Sequence, residues 1–215
     1  HKMISRRSYA PVRRTLPLSR GAAARPRSRF VCCARRQGAT LFVLACVGFG
    51  RLDKAMVTLN VTGIGSIPID LDAANAPRAV AELKRLGAAG NSGRLHRSEP
   101  LPPEGSTGPP YALVQFSLDV PALKSFAHEG TAKIVRGSVC LIGGASDLFI
   151  SLARRGEHNG WETGMTIVGS VPEPQLSDLV EGSILALPKH DFKHPQYGTV
   201  MSMLNQELPC RLVSS

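Results

Sequence analysis

Arg97 is the first residue whose type and position could do chemistry. It stands towards the end of an apolar-flanked strand candidate at residues 92–100 (SGRLHRSEP), beside a segment crowded with proline and glycine, residues 99–110 (EPLPPEGSTGPP). A guanidinium holds five N–H donors in one plane and can stabilise charge that develops on a neighbouring group. The alternative for such an arginine is an ordinary solvated surface charge.

Other reactive side chains argue against metal or thiol chemistry. His190 and His194 have an i,i+4 spacing, but prolines on both sides argue against the helix that such a pair needs. Cys140 and Cys210 are isolated in apolar stretches, which is typical of core residues rather than of a bridge or a metal site. We therefore expect no metal ligands.

The net charge of +10 is concentrated at one end of the chain. Residues 1–54 hold two Lys and eleven Arg against the single acid Asp53, whereas residues 55–215 hold thirteen basic and fifteen acidic side chains. The two parts therefore carry +12 and −2. A nucleic-acid-binding domain needs a basic face of its own, so a nucleic-acid partner is disfavoured.

The composition of residues 1–37 is typical of an organellar targeting segment, because it is rich in Arg, Ser and Ala and contains no acid. We expect this segment to be disordered. Residues 38–54 begin with an uncharged apolar run, residues 38–50, which is far shorter than the roughly 20 residues of a membrane-spanning helix. An arginine pair precedes that run, as in an export signal.

These features predict a short signal or anchor segment at residues 38–54. The favoured destination is a plastid, with the thylakoid lumen as a further step. One alternative is the secretory pathway or Golgi, with membrane association through residues 38–50. A mitochondrial destination is another, and a buried element at residues 38–50 is the structural alternative to any signal.

From residue 55 onward, short stretches alternate apolar and polar residues at period two, which predicts strands. The predicted strands are residues 56–62, 66–72, 111–119, 137–142, 147–153, 165–171, 198–204 and 208–213. Residues 75–90 instead predict a helix, with Asn75 as its cap, Pro77 in its first turn and Gly87 or Gly90 at its end. Residues 172–182 predict a second helix.

The predicted fold is mainly β, a closed eight-stranded antiparallel barrel capped by two helices. Closure removes the exposed strand edges that an open sheet would have to protect.

The order of four sequence motifs resembles that of the cyclophilin family of peptidyl-prolyl cis-trans isomerases. The motifs are GSIPIDLDAANAPRAVAELKRL, GRLHR, VRGSVCLIGGASDLFISLA and MTIVGSVPEPQLSDLVEGSILALP. The ending GTVMSMLNQELPCRLV is similar to that of divergent plant and algal members with N-terminal leaders. The resemblance implies a cyclophilin-like domain at residues 55–213.

The resemblance also implies a reaction without nucleophile or cofactor. Rotation about an X–Pro bond crosses a barrier of roughly 20 kcal/mol through a twisted amide. A catalyst holds the proline ring in an apolar pocket and stabilises the twisted amide more than either planar form. Arg97 matches the catalytic arginine, whose N–H groups reach the prolyl nitrogen or the carbonyl. Residues 99–110 would then be an insertion beside the groove.

The resemblance assigns substrate-binding positions as well. They are Gln115, Phe149, Leu113, Ala112, Ile142 and Met165. Gln115 matches the glutamine that bonds the substrate backbone, and Phe149 matches the aromatic floor. Ala112 and Leu113 stand where the family has Phe and Met, and Met165 stands where it has a histidine.

Four further residues can be compared with the family's pattern. Trp161 does not align with the family's tryptophan, and His158 is a candidate to replace the missing histidine. Asp147 replaces a second glutamine, and we expect His96 to be structural.

These departures lead to two hypotheses. The first is an isomerase-like protein of weak activity that binds proline-containing segments of a client polypeptide. The alternative is a catalytically inactive binding or assembly module of an organellar or membrane complex. Convergence of Arg97, Gln115 and Phe149 on one open groove favours the first. Residues 99–110 folded over that groove would favour the second.

Overall fold

A computed structural model of the chain describes residues 55–101, 103–104, 112–154, 156–195 and 198–215. The predicted targeting segments, residues 1–37 and 38–54, lie outside the described residues. So does most of the proline-rich insertion predicted at residues 99–110.

The strands of the described residues form one antiparallel sheet. They are β1 (Met56–Val61), β2 (Gly65–Leu71), β3 (Ser92–Glu99), β4 (Leu113–Leu118), β5 (Ser138–Ile142), β6 (Asp147–Ser151), β7 (Met165–Ser170), β8 (Lys189–Lys193) and β9 (Val200–Ser214). Their order is β1-β2-β7-β5-β6-β4-β3-β9-β8, and β1 also pairs with β9. Eight strands therefore close into a barrel, and β8 extends the sheet beyond it. The predicted fold class is confirmed, with one strand more than expected.

The strands of the barrel differ in part from the predicted stretches. Strand β3 corresponds to the strand candidate at residues 92–100, which was not among the alternating stretches because Leu95 is its one strongly apolar residue. Residues 198–204 and 208–213, predicted as two strands, belong to the single long strand β9. Strand β8 was missed because it is polar and largely exposed.

Two helices accompany the barrel, as predicted. Helix α1 (Pro77–Ala89) begins at its proline and ends at Gly90, whose φ of 67° is the left-handed conformation that glycine adopts without strain. Helix α2 begins with one α-helical turn (Glu173–Gln175) and continues with wider, π-type hydrogen bonding (Leu176–Ile184). Apolar residues on one face of each helix are buried, namely Val80, Leu83 and Leu86 in α1 and Leu176, Val180 and Ile184 in α2.

Asn75 does not cap helix α1, contrary to the prediction. Its Oδ1 accepts hydrogen bonds from the backbone N–H groups of Thr131 and Ala132, both at 3.1 Å. The Glu129 carboxylate instead accepts from two backbone N–H groups in the first turn of α1. The cap therefore comes from a residue about 50 positions along the chain, which no local pattern reveals.

The strands that carry the candidate site have two different apolar faces. On β4, Val114, Phe116 and Leu118 are buried in the main core of the barrel. Leu113 lies one residue out of step and belongs to a second, smaller cluster that includes Phe149 on β6. Because side chains of a strand alternate between faces, the second cluster lies on the outer face of the barrel wall. This outer face positions the candidate site.

Candidate functional site

A β-bulge in strand β3 turns Arg97 to the outer face. Leu95 pairs with Phe116 of β4, while Arg97 pairs with Gln115, so two steps on β3 match one step on β4. Leu95 is fully buried in the barrel core. Regular alternation would place Arg97 on the same inner face, but the extra residue shifts the following side chains by one position. Ser98 takes the inward position, and its Oγ lies 3.5 Å from the carbonyl oxygen of Ile184.

Cross-strand pairing then sets a row of side chains across five neighbouring strands. Arg97 pairs with Gln115, Gln115 with Phe149, Phe149 with Cys140, and Cys140 with Ile167. Directly paired residues of antiparallel strands share one face of the sheet. The row therefore places a guanidinium and a carboxamide next to an apolar surface centred on Phe149.

A cavity of about 380 Å³ lies over this row. It is lined by Arg97, Leu113, Gln115, Ile142, Phe149, Gly160, Trp161, Thr163, Gly164 and Met165. Six of the seven predicted site residues therefore lie around one cavity. The volume is that of a site for a small group or a few residues of a peptide.

Ala112 is the predicted site residue that does not line this cavity. It is fully buried in the barrel core, and its carbonyl oxygen accepts a hydrogen bond from the backbone N–H of Leu152 at 2.6 Å. It directly precedes Leu113, which lines the cavity, so alternation directs Ala112 inward. The structure therefore places Ala112 in the barrel core and not on the cavity to which the resemblance assigns it.

Two acceptors on different strands hold the Arg97 guanidinium. Its Nη1 donates to Oε1 of Gln115 at 3.1 Å, and its Nε donates to Oε1 of Glu99 at 3.0 Å. The Arg97 and Glu99 side chains are only 11% and 9% exposed. Sequence reasoning missed Glu99, although its i,i+2 spacing from Arg97 on a strand is the signal that could have found it.

The aromatic wall of the cavity is built from Phe149 and Trp161, with His158 behind them. His158 is 1% exposed, and its ring stacks on Trp161. The same ring packs edge-on against Phe149, with ring centroids 5.6 Å apart. Its Nδ1 lies 3.0 Å from Oγ of Ser151. His158 therefore supports the wall from the interior and does not replace the pocket histidine of the family. Trp161 was not assigned from the sequence, and glycines at both ends of its short turn were the available signal.

His96 occupies the bulge next to the site and is not among the residues that line the cavity. Burial lowers the pKa of His96 below its ordinary value, and the nearby Asp147 carboxylate, 3.9 Å from Nε2, acts in the opposite direction.

Below the cavity floor, burial raises the pKa of the Cys140 thiol well above its ordinary value. Cys140 and Cys210 are both buried and unbridged.

Three further findings concern the part of the chain that the structure describes. No three His, Cys, Asp or Glu side chains there lie close enough together to hold a metal ion. His190 and His194 belong to the β8 region, not to a helix. None of the helices in that part combines the length and the apolar composition that crossing a membrane requires.

No protein-family model matches the chain, and no curated protein matches it. A closed eight-stranded antiparallel barrel with two helices is consistent with a cyclophilin-like fold.

Proposed function

We propose that this domain binds proline-containing segments of a client polypeptide in the cavity and catalyses their cis-trans isomerisation weakly. The observation that carries the proposal is the pairing of Arg97 with Gln115 at the side of an apolar cavity. Nη1 of Arg97 donates a hydrogen bond to Oε1 of Gln115 at 3.1 Å, and Phe149 forms the adjoining apolar surface. Polar donors beside an apolar pocket are what a twisted prolyl amide needs.

In this proposal, the apolar lining holds the proline ring and the polar residues address the amide. Leu113, Ile142 and Phe149 offer the ring a surface without hydrogen-bonding demands. The prolyl nitrogen gains a lone pair only while the amide is twisted, so N–H groups of Arg97 would stabilise the twisted form over both planar forms. No nucleophile enters this reaction.

The activity is proposed to be weak because one polar group of the resembled family is missing. Met165 lies on the cavity where that family has a histidine. His158 does not compensate, since it is buried behind Trp161. Compared with the resembled family, the site has the arginine and the aromatic floor but lacks a hydrogen-bonding side chain at the position of Met165.

A second candidate function is an inactive binding or assembly module of an organellar or membrane complex. The contacts of Arg97 favour it, because Gln115 and Glu99 both accept from the guanidinium. An arginine whose N–H groups are bonded to two protein acceptors keeps one orientation, which suits binding of a peptide segment. In this case proline-containing segments bind without acceleration of their isomerisation.

The full chain and a short peptide with a single proline test the two functions together. Trp161 is the only tryptophan of the chain and lines the cavity, so its fluorescence reports binding. Exchange NMR of the peptide reports isomerisation. We expect saturable binding, a rate above that of buffer, and loss of that rate in Arg97→Ala. The same peptide with alanine in place of proline is the control and should bind at least tenfold more weakly, because the ring contact is lost.

The outcomes separate the hypotheses. If the peptide binds but wild type and Arg97→Ala both leave the rate at that of buffer, the module is the correct function. If the proline and alanine peptides bind equally, or neither binds, the proposal of proline recognition is wrong.

A further inference from the structure

Glu99 is a buried carboxylate fixed against the cavity arginine. Its Oε1 accepts from Nε of Arg97 at 3.0 Å and from the backbone N–H of Ser202 at 2.7 Å. Ser202 lies on β9, so the carboxylate joins two neighbouring strands. The backbone donor holds the carboxylate in place independently of the arginine side chain. Glu99 therefore restricts the direction in which the Arg97 guanidinium can point.

The second contact of the guanidinium completes this arrangement. Gln115, on the other neighbour of β3, accepts from Nη1 at 3.1 Å. The plane of the guanidinium is thus held from both sides, by Glu99 at Nε and by Gln115 at Nη1. Only one of the two acceptors is charged, and this difference allows charge and geometry to be tested separately.

The charge of Glu99 also changes what Arg97 can do for a bound amide. Both side chains are about nine-tenths buried, where opposite charges interact more strongly than in water. The carboxylate compensates the positive potential that the guanidinium would otherwise present to the cavity. Stabilisation of a developing lone pair depends on that potential. Packing of a proline ring against Phe149 does not depend on it.

A purely structural role does not require the charge. Burial of a carboxylate is costly unless it is paired and hydrogen-bonded, and a neutral amide oxygen could accept the same two hydrogen bonds. The negative charge is therefore the feature that distinguishes Glu99 from a simple strand-joining residue.

We propose that Glu99 is a positioning residue that aims the Arg97 guanidinium and weakens its stabilisation of a twisted amide, so that the cavity favours binding of proline segments over their isomerisation. This inference rests on the proposed function, because it concerns the balance between binding and catalysis at that same cavity.

Two substitutions in the full chain separate charge from geometry. Glu99→Gln keeps an oxygen at the same distance along the side chain and removes the charge. Glu99→Asp keeps the charge and withdraws the oxygen by one methylene. We expect Glu99→Gln to raise kcat/KM for the single-proline peptide by about 3- to 10-fold, less than the effect of deleting a whole donor. The rise should lie in kcat, with peptide affinity from Trp161 fluorescence within twofold of wild type.

Glu99→Asp should not exceed the wild-type rate. A Glu99→Gln rate equal to or below that of wild type overturns the charge effect, even if wild type itself is as slow as buffer. Gln115→Glu provides a second test that leaves the buried carboxylate in place. It keeps the acceptor for Nη1 and adds a negative charge, so its rate should fall below wild type. An unchanged or higher rate contradicts the proposal.

A spectroscopic measurement distinguishes failure of this inference from failure of the proposed function. The NMR signal of the Arg97 Nε–H should be shifted downfield and exchange slowly with water in wild type, and it should move upfield in Glu99→Gln. Rapid exchange in wild type overturns the positioning role. If no variant binds the peptide, the proposed function is wrong, and the Nε–H signal still decides whether Glu99 holds the guanidinium.

Discussion

The imidazole of His158 stacks on the indole of Trp161, with ring centroids 4.5 Å apart and an angle of 25° between the planes. Trp161 lines the cavity, whereas His158 is buried and bonded to Ser151. The wall of the cavity therefore depends on a hydrogen bond that lies outside it.

Ser151→Ala should destabilise the protein and disturb the cavity wall. The change removes a buried hydrogen-bonding partner of His158, which typically costs about 1–3 kcal/mol. The free energy of unfolding should fall by that amount in urea titrations, and the Trp161 emission maximum should shift to longer wavelength as the indole gains solvent. Ser125→Ala is the control, because that exposed hydroxyl bonds a local carbonyl, and its unfolding free energy should change by less than about 0.5 kcal/mol. Unchanged emission in Ser151→Ala would contradict the supporting role of His158.

Phe149→Leu and Phe116→Leu form a matched pair that separates the two faces of the barrel wall. Phe149 is 1% and Phe116 0% exposed, so each change should lower the free energy of unfolding by about 1–3 kcal/mol. Phe149 lines the cavity and Phe116 lies in the barrel core. Proline-peptide affinity, measured by Trp161 fluorescence, should therefore fall in Phe149→Leu and stay near wild type in Phe116→Leu. Equal losses in both variants would argue against Phe149 as the floor.

Stability should decrease on acidification in part because of His96. Burial lowers its pKa below the ordinary value of 6.5. As the pH falls below 6.5, the unfolded chain takes up a proton that folded His96 does not, so the unfolded state binds more protons and gains in relative stability. Urea unfolding between pH 7.5 and 5 should show this loss, and His96→Gln should show a smaller one. Parallel pH dependence in both proteins would mean that other groups cause it.

Residues 1–54 should be dispensable for folding. The first strand of the barrel begins at Met56, and β1 pairs with β2 and β9, all within residues 56–214. A chain that starts at Ala55 should unfold in one cooperative transition with the free energy of the full chain, within about 1 kcal/mol. A broad or absent transition would show that the leader contributes to the fold.

The predicted leader also has a cellular test. A fluorescent protein fused behind residues 3–55 should accumulate in plastids if the arginine-rich, acid-free composition acts as a transit peptide. Golgi-like puncta would favour the signal-anchor alternative, and mitochondrial fluorescence would favour that destination. Diffuse fluorescence in the cytosol would show the targeting prediction to be wrong.

The features that depend on local pattern were predictable from the amino-acid sequence. Period-two alternation indicated seven of the eight barrel strands, with β9 read as two pieces, and apolar residues at helical spacing indicated both helices. Motif order led to six residues that line one cavity, and alternation along β4 by itself places Leu113 and Gln115 on one face.

The details of the site depend on contacts between residues that are far apart in the sequence. Whether Arg97 faces in or out depends on a bulge that exists only through the pairing of β3 with β4 and β9. The bond between Glu99 and Ser202 joins residues 103 positions apart, and no periodicity encodes such a contact. The resemblance assigned Ala112 to the cavity, although alternation from Leu113 directs it into the core, and the burial of His158 follows from its packing on Phe149 of β6. Local propensity selects the elements, but the facing of each side chain is set by its partners across the sheet.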